Sequence, residues 1–110
     1  MGESGTKVVS KPIVRAGEEI RPAPLFHVIL HDDDQHTYQY VIAMLMQLFG
    51  KSAETAFNHA KEVDTTGVTV VETTTLERAE LKRDQIRAFG PDPLIAGSPG
   101  GMYASIEPAE

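Results

Sequence analysis

Up to Pro24 large apolar residues are sparse; beyond it they fall into short blocks separated by polar or glycine-containing joints. The first block, Leu25-Phe26-His27-Val28-Ile29-Leu30, is rich in strand formers and has the length of one buried β-strand. A polar loop, His31-Asp32-Asp33-Asp34-Gln35-His36-Thr37, leads into Tyr38 to Phe49, where Tyr38, Val41, Ile42, Leu45 and Phe49 recur at helical spacing. Tyr40, Met44 and Met46 occupy the opposite side, so this helix is expected to be covered on both flanks, with Thr37 as its N-cap and Gly50 ending its last turn. A second helix is expected to start at Ser52 and to align Ala53, Ala56, Ala60 and Val63, whose small size lets a neighbour approach closely. Asp64 follows one turn beyond Ala60. Gly67 breaks the pattern, and the β-branched run Val68-Thr69-Val70-Val71 predicts a second strand. Thr74 with Glu77 three residues later has the form of a capping box for a third helix, striped by Leu76, Ala79, Ile86 and Phe89 and stopped at Gly90-Pro91. A Pro/Gly-rich stretch, Pro91 to Gly101, precedes a last short strand, Met102-Tyr103-Ala104-Ser105-Ile106.

The order β-α-α-β-α-β, without repeats, implies an α+β sandwich: a compact three-stranded sheet packed by helices over residues 25–110. Residues 1–24, mixed in charge and rich in Gly, Ser, Lys, Glu and Pro, are expected to form a disordered, flexible N-terminal tail, because they bury too little surface to offset ordering entropy. With 110 residues, 41% of them hydrophobic, one modest core is the expectation. There is no apolar run long enough to span a bilayer and no basic-then-apolar leader, so no membrane partner and a cytoplasmic location are expected. The lack of cysteine excludes disulfides, thiolate metal sites and a cysteine nucleophile. The net charge of −6 argues against nucleic acid and suits a cationic ligand or a basic partner. Without a heptad seam or a long unprotected strand, a monomer is expected.

Catalytic chemistry is not apparent. No serine sits in a nucleophile-elbow pattern, and Gly97-Ser98-Pro99-Gly100-Gly101 lacks the Lys-Ser/Thr of a phosphate loop and reads as a turn. The cluster Asp32-Asp33-Asp34 followed by His36 needs an explanation, because adjacent carboxylates repel one another unless solvated or given a cation. It suits a solvated loop whose acids favour the start of a helix. Asp32, Asp34 and His36 could instead hold a divalent metal, but Gln35 to Ala43 supply neither the glycine nor the distal glutamate of an EF-hand calcium loop. A third reading gives the carboxylates a protonated amine, whose three N–H donors want several acceptors in a compact space. A free protein N-terminus is such an amine. No metal and no cofactor are expected.

Val28-Ile29-Leu30-His31-Asp32-Asp33, leading into a helix with Tyr40-Val41-Ile42, resembles the ClpS signature of an apolar strand, an Asn-Asp-Asp-type loop and a Phe-Val-type helix start. Ala60-Lys61-Glu62-Val63, the Gly67 turn, Ala79-Glu80-Leu81-Lys82 and the closing Ile106-Glu107-Pro108 follow in that family's order, so the resemblance covers Phe26 to Ala109. It implies a bacterial, non-enzymatic adaptor that binds the N-terminal residue of a substrate protein (Leu, Phe, Tyr or Trp) and docks on the N-terminal domain of a Clp AAA+ unfoldase. By the same resemblance the α-amino group meets Asp32, Asp33, Asp34, His36 and Asp64, and the side chain enters a pocket of Tyr38, Val41, Ala60, Val63 and Met102. Glu77 and Lys82 match docking positions, and the N-terminal segment resembles the family's extension, for which entry into the unfoldase pore is implied. Four positions depart from the family's usual residues: Asp32 replaces asparagine, Asp64 replaces histidine, and Tyr38 and Ala60 replace methionines. The segment from Pro91 to Gly101 is also longer than usual. A rival implied by the same scaffold is a selectivity or inhibitory module that docks on the unfoldase without binding N-termini.

Overall fold

The protein is seen here in a computed structural model that describes the backbone of residues 13–16 and 19–22 and the whole of residues 23–110. β1 (Ile13–Ala16) and β2 (Glu19–Pro22) pair antiparallel as a two-stranded unit of their own, with Ile13 opposite Pro22. This pairing falls in the segment whose composition implies a tail; residues 1–12 and 17–18, to which that expectation also applies, lie outside the described residues. From Phe26 the order is β3 (Phe26–His31), α1 (Tyr38–Phe49), α2 (Ala53–Thr66), β4 (Val68–Thr74), α3 (Leu76–Arg87) and β5 (Ala104–Pro108). β3 is the central strand, antiparallel to β4 on one side and to β5 on the other. The expected α+β arrangement of three strands and three helices is therefore the one observed.

Local chemistry sets most boundaries. Thr37 and Ser52 cap α1 and α2 through their hydroxyls, which accept from the N–H groups of Tyr40 and Thr55. Gly50 and Gly67 close the same helices in the left-handed region, φ 68° and 94°, where a side chain would be strained. Several boundaries differ from expectation, among them the end of α3, which falls at Arg87 and leaves Phe89 beyond the helix. Thr74 still belongs to β4, paired with Phe26, so the cap of α3 falls one residue later at Thr75, whose hydroxyl accepts from Arg78 N–H. The last strand starts at Ala104 rather than Met102, because the first pairing partner of β3 on that side is Ala104, opposite Leu30.

The core forms where the helices meet one face of the sheet. Val28, Leu30, Val71 and Ala104 come from the strands, Val41, Met44 and Leu45 from α1, Ala56 and Ala60 from α2, and Ala79 and Ile86 from α3. Coverage of α1 on both flanks extends to Tyr40 and Met44 but leaves Met46 on the surface. The buried stripe of α3 begins at Ala79; Leu76, the first residue of that helix, precedes the face that meets the sheet and is exposed.

After α3 the chain makes a long loop and returns against its own helix. At Gly101 a Cβ would be driven into the carbonyl oxygens of Arg87 and Ile86, only 2.6 Å from the latter. Those oxygens belong to backbone and cannot swing aside, so only glycine fits, and Met102 is delivered buried into the core. Replacing Gly101 by alanine is expected to lower stability by about 2 kcal/mol, the cost of overpacking against backbone. Urea unfolding checks this.

Candidate functional site

One end of the sheet collects the acidic loop, the end of α2 and the loop after α3. The N–H of His31 bonds Tyr103 O (3.1 Å), and that of Asp32 bonds Gly67 O (2.9 Å), so the acidic loop leaves β3 tethered to segments flanking the other two strands. The left-handed turn at Gly67 ends α2 just past Asp64, which brings Asp64 toward Asp32.

The space enclosed is a cavity of about 280 Å³. Asp32, Asp33, Asp34, His36, Asp64, Tyr38, Val41, Ala60, Val63 and Met102 all line it, together with Thr37, which sequence reasoning had used only as a cap. Val41, Ala60, Val63 and Met102 are buried and apolar, while Asp32, Asp34 and Asp64 are exposed. The Tyr38 hydroxyl donates to Asp64 Oδ2 at 2.8 Å, joining the first residue of α1 to the last turns of α2, and the Tyr38 ring packs at 5.7 Å from that of Phe57.

The carboxylates are unevenly satisfied. Although Asp32 is exposed overall, partial loss of solvent around its carboxyl pushes it above the usual range, helped by the charges of Asp64, Asp33 and Asp34 and only partly opposed by a hydrogen bond from the Asp33 backbone. The hydrogen bond to Asp64 keeps the proton on Tyr38, whose hydroxyl also lies above its ordinary value. Asp33 is better provided for: its Oδ1 accepts from Gln35 N–H at 2.9 Å, and His36 Nδ1 lies 2.9 and 3.1 Å from its two oxygens. The other ring nitrogen of His36, Nε2, is 2.6 Å from Gly100 O.

Sequence reasoning missed Asp92. Its carboxylate is 1% exposed and accepts from Thr37 N–H (2.6 Å) and Leu94 N–H (2.9 Å). Burial alone would raise this acid, but the Thr37 and Leu94 donors and the nearby His36 hold it below the usual carboxylate range. The Pro-Asp-Pro-Leu context does signal a local turn made by the aspartate, which the bond to Leu94 N–H realises. Its bond to Thr37, 55 positions away, leaves no local trace.

Glu77 is exposed on the first turn of α3. Lys82 lies half-buried against α1, its Nζ donating to Leu48 O at 2.5 Å and standing 5.4 Å from the Phe49 ring centroid. Neither borders the cavity. Among the described residues no group of three or more His, Asp or Glu side chains is arranged to hold a metal ion, and no helix is long and apolar enough to cross a membrane.

A family model described as "ATP-dependent Clp protease adaptor protein ClpS" matches residues 21–94, more than half of the chain. The chain belongs to the ClpS family. The ClpS protein of Synechococcus elongatus is 31% identical over 103 residues, covering 93% of this chain and 95% of the relative. That of Oleidesulfovibrio alaskensis is 35% identical over 71 residues, 64% of this chain and 68% of the relative. Among solved structures, Agrobacterium tumefaciens ClpS2 bound to L-phenylalaninamide superposes with a TM-score of 0.67 at 26% identity, covering 77% of this chain and 96% of that one. As a ClpS protein the chain is an adaptor of the Clp protease, not an enzyme, and its work is contact with an unfoldase and with substrates.

The two perturbed acids act on stability in opposite senses. The folded-state pKa of Asp92 is depressed, so its contribution is present above the ordinary carboxylate range and is lost as pH falls through the folded value. Asp32, raised, opposes folding once it ionises. Asp92→Asn is expected to flatten the acid-side fall of stability with pH, and Asp32→Asn to raise stability near neutrality. Urea unfolding at a series of pH values between 2 and 7 distinguishes them, since this range covers carboxylate titration.

Proposed function

We propose that this ClpS adaptor captures proteins through a free N-terminal residue with a bulky apolar side chain and delivers them to a Clp AAA+ unfoldase. One observation carries the reading: a single cavity joins exposed carboxylates to a buried apolar lining. An N-terminal residue has the matching halves, an ammonium and a side chain, a few bonds apart. L-phenylalaninamide, the molecule bound to the Agrobacterium relative, unites a free α-amino group with a benzyl side chain.

In this reading Asp32, Asp34 and Asp64 receive the ammonium, with Asp33 and His36 forming the wall behind them, and Tyr38, Val41, Ala60, Val63 and Met102 surround the side chain. Burying a Leu or Phe side chain contributes about 1.5–3 kcal/mol. Charge-assisted hydrogen bonds add about 1.5–3 kcal/mol each before desolvation. An internal residue has no ammonium, so it leaves the carboxylates without their cation. Glu77 and Lys82, both on α3, belong to the unfoldase-facing side, and the N-terminal segment 1–24, which carries the β1–β2 pair, to an extension of the adaptor core.

Titration with short peptides that begin in Leu, Phe, Tyr, Trp or Ala, each free or acetylated at the N-terminus, tests the capture step. A bulky free terminus is expected to bind in the micromolar range, about −8 kcal/mol, and to lose at least about tenfold on acetylation. Affinity should fall on the acid side as Asp32 takes up its proton and on the alkaline side as the peptide amine loses its own, near pH 8. Folded protein that binds no free terminus would leave unfoldase docking as the function. Glu77→Lys is expected to weaken the complex with the unfoldase's N-terminal domain while leaving peptide affinity unchanged. Lys82→Ala should do the same and also lower stability by about 1 kcal/mol, because it uncaps Leu48 O.

A further inference from the structure

We propose that the loop from Pro91 to Gly101 is a positioning element of the pocket, and that His36 is the strut it holds behind Asp33 rather than a contact to the bound terminus. The inference deepens the capture reading, but its central claim concerns the free protein. A carbonyl oxygen can only accept, so the 2.6 Å contact between His36 Nε2 and Gly100 O requires hydrogen on Nε2. His36 Nδ1 lies within 2.9 and 3.1 Å of both oxygens of Asp33, and a carboxylate likewise only accepts, so hydrogen lies on Nδ1 as well. A ring with two donors and no acceptor cannot receive a hydrogen bond from an ammonium, which itself brings only donors. The His36 side chain is also 1% exposed, and the Tyr40 ring packs against it at 4.5 Å between centroids.

The grip on His36 and its neighbour Thr37 comes from the loop. At the loop's start Asp92 accepts from Thr37 N–H, and its own N–H donates to Ser98 Oγ at 3.0 Å. At its end Gly101 is wedged against the last turn of α3, which fixes the carbonyl of Gly100 just before it. Tyr40 adds a third tie, its hydroxyl donating to Gly90 O at 2.5 Å while its ring backs His36. With Asp33 matched internally, Asp32, Asp34 and Asp64 are left to face an incoming cation. The loop thereby decides which carboxylates serve the ligand.

Ring nitrogen and proton signals of His36 in protein labelled with ¹⁵N-histidine test the proposal, recorded first on the free protein at neutral pH and then during titration with a Phe-initiated peptide. Both His36 nitrogens are expected to carry hydrogen in the free protein and to keep their shifts when peptide binds. A bare ring nitrogen in the free protein overturns the strut, as does a change in protonation or tautomer on binding. Asp92→Asn is expected to remove the signature of the second N–H and to weaken peptide binding about tenfold. Ser98→Ala, which loosens the loop without touching the core, should move both readouts the same way by less and serves if the first variant does not fold. Retention of the wild-type His36 signature and affinity in a folded loop variant would overturn the positioning role. Failure of the wild type to bind any free terminus would count against capture alone, because the spectrum of the free protein decides the strut.

Discussion

A buried carboxylate joins the start of α1 to the loop that follows α3, and the pocket depends on that junction. A lone charge under a protein surface is costly, yet Asp92 is held below its ordinary pKa because N–H groups and a neighbouring histidine surround it. Its two oxygens divide the labour: one receives Leu94 N–H and shapes the loop, the other receives Thr37 N–H and draws that loop onto the acidic segment. Without this tie, the return of the chain past Gly101 would still place Met102, but the Gly100 carbonyl would hold His36 with less support.

The acidic rim works in the opposite sense. Asp32, Asp34 and Asp64 lie close enough for Asp64 and Asp34 to raise the Asp32 pKa, so these carboxylates repel one another. Such strain is typical of sites whose ligand supplies the missing charge. The protein compensates part of it from within, through His36 beside Asp33 and the Tyr38 hydroxyl on Asp64, and in the proposed capture the ammonium of the ligand supplies the remainder. Stability and recognition therefore pull Asp32 in different directions.

Much of this was legible in the chain because the signals are local. Thr37, Ser52, Gly50 and Gly67 mark helix ends by their own hydroxyls or conformations, and the apolar run through Val28, Ile29 and Leu30 marks the central strand. The cavity residues were found through the order and spacing of motifs resembling the ClpS family, not through any property visible at one position. The cap of α3 was displaced by one residue because a run of three threonines offers several caps, and the strand's pairing with Phe26 decides among them. Asp92 and the closeness of Gly101 to α3 were hidden because each depends on a partner distant in sequence.

The departures from the family's usual residues acquire a common logic once the contacts are seen. An aspartate at 64 has no proton of its own to offer, and Tyr38 at the opposite helix provides one, so the two substitutions meet as donor and acceptor across the cavity. That bond takes one of several acceptor sites on the carboxylate and leaves others for a ligand. A methionine at position 38 could make no such bond, and an aspartate at 64 would then stand beside Asp32 with its charge unshared. Tyr38 and Asp64 are thus best regarded as one unit, and the small Ala60, one turn before Asp64 on α2, lines the same cavity and, under the proposed capture, is the position that leaves room for a substrate side chain.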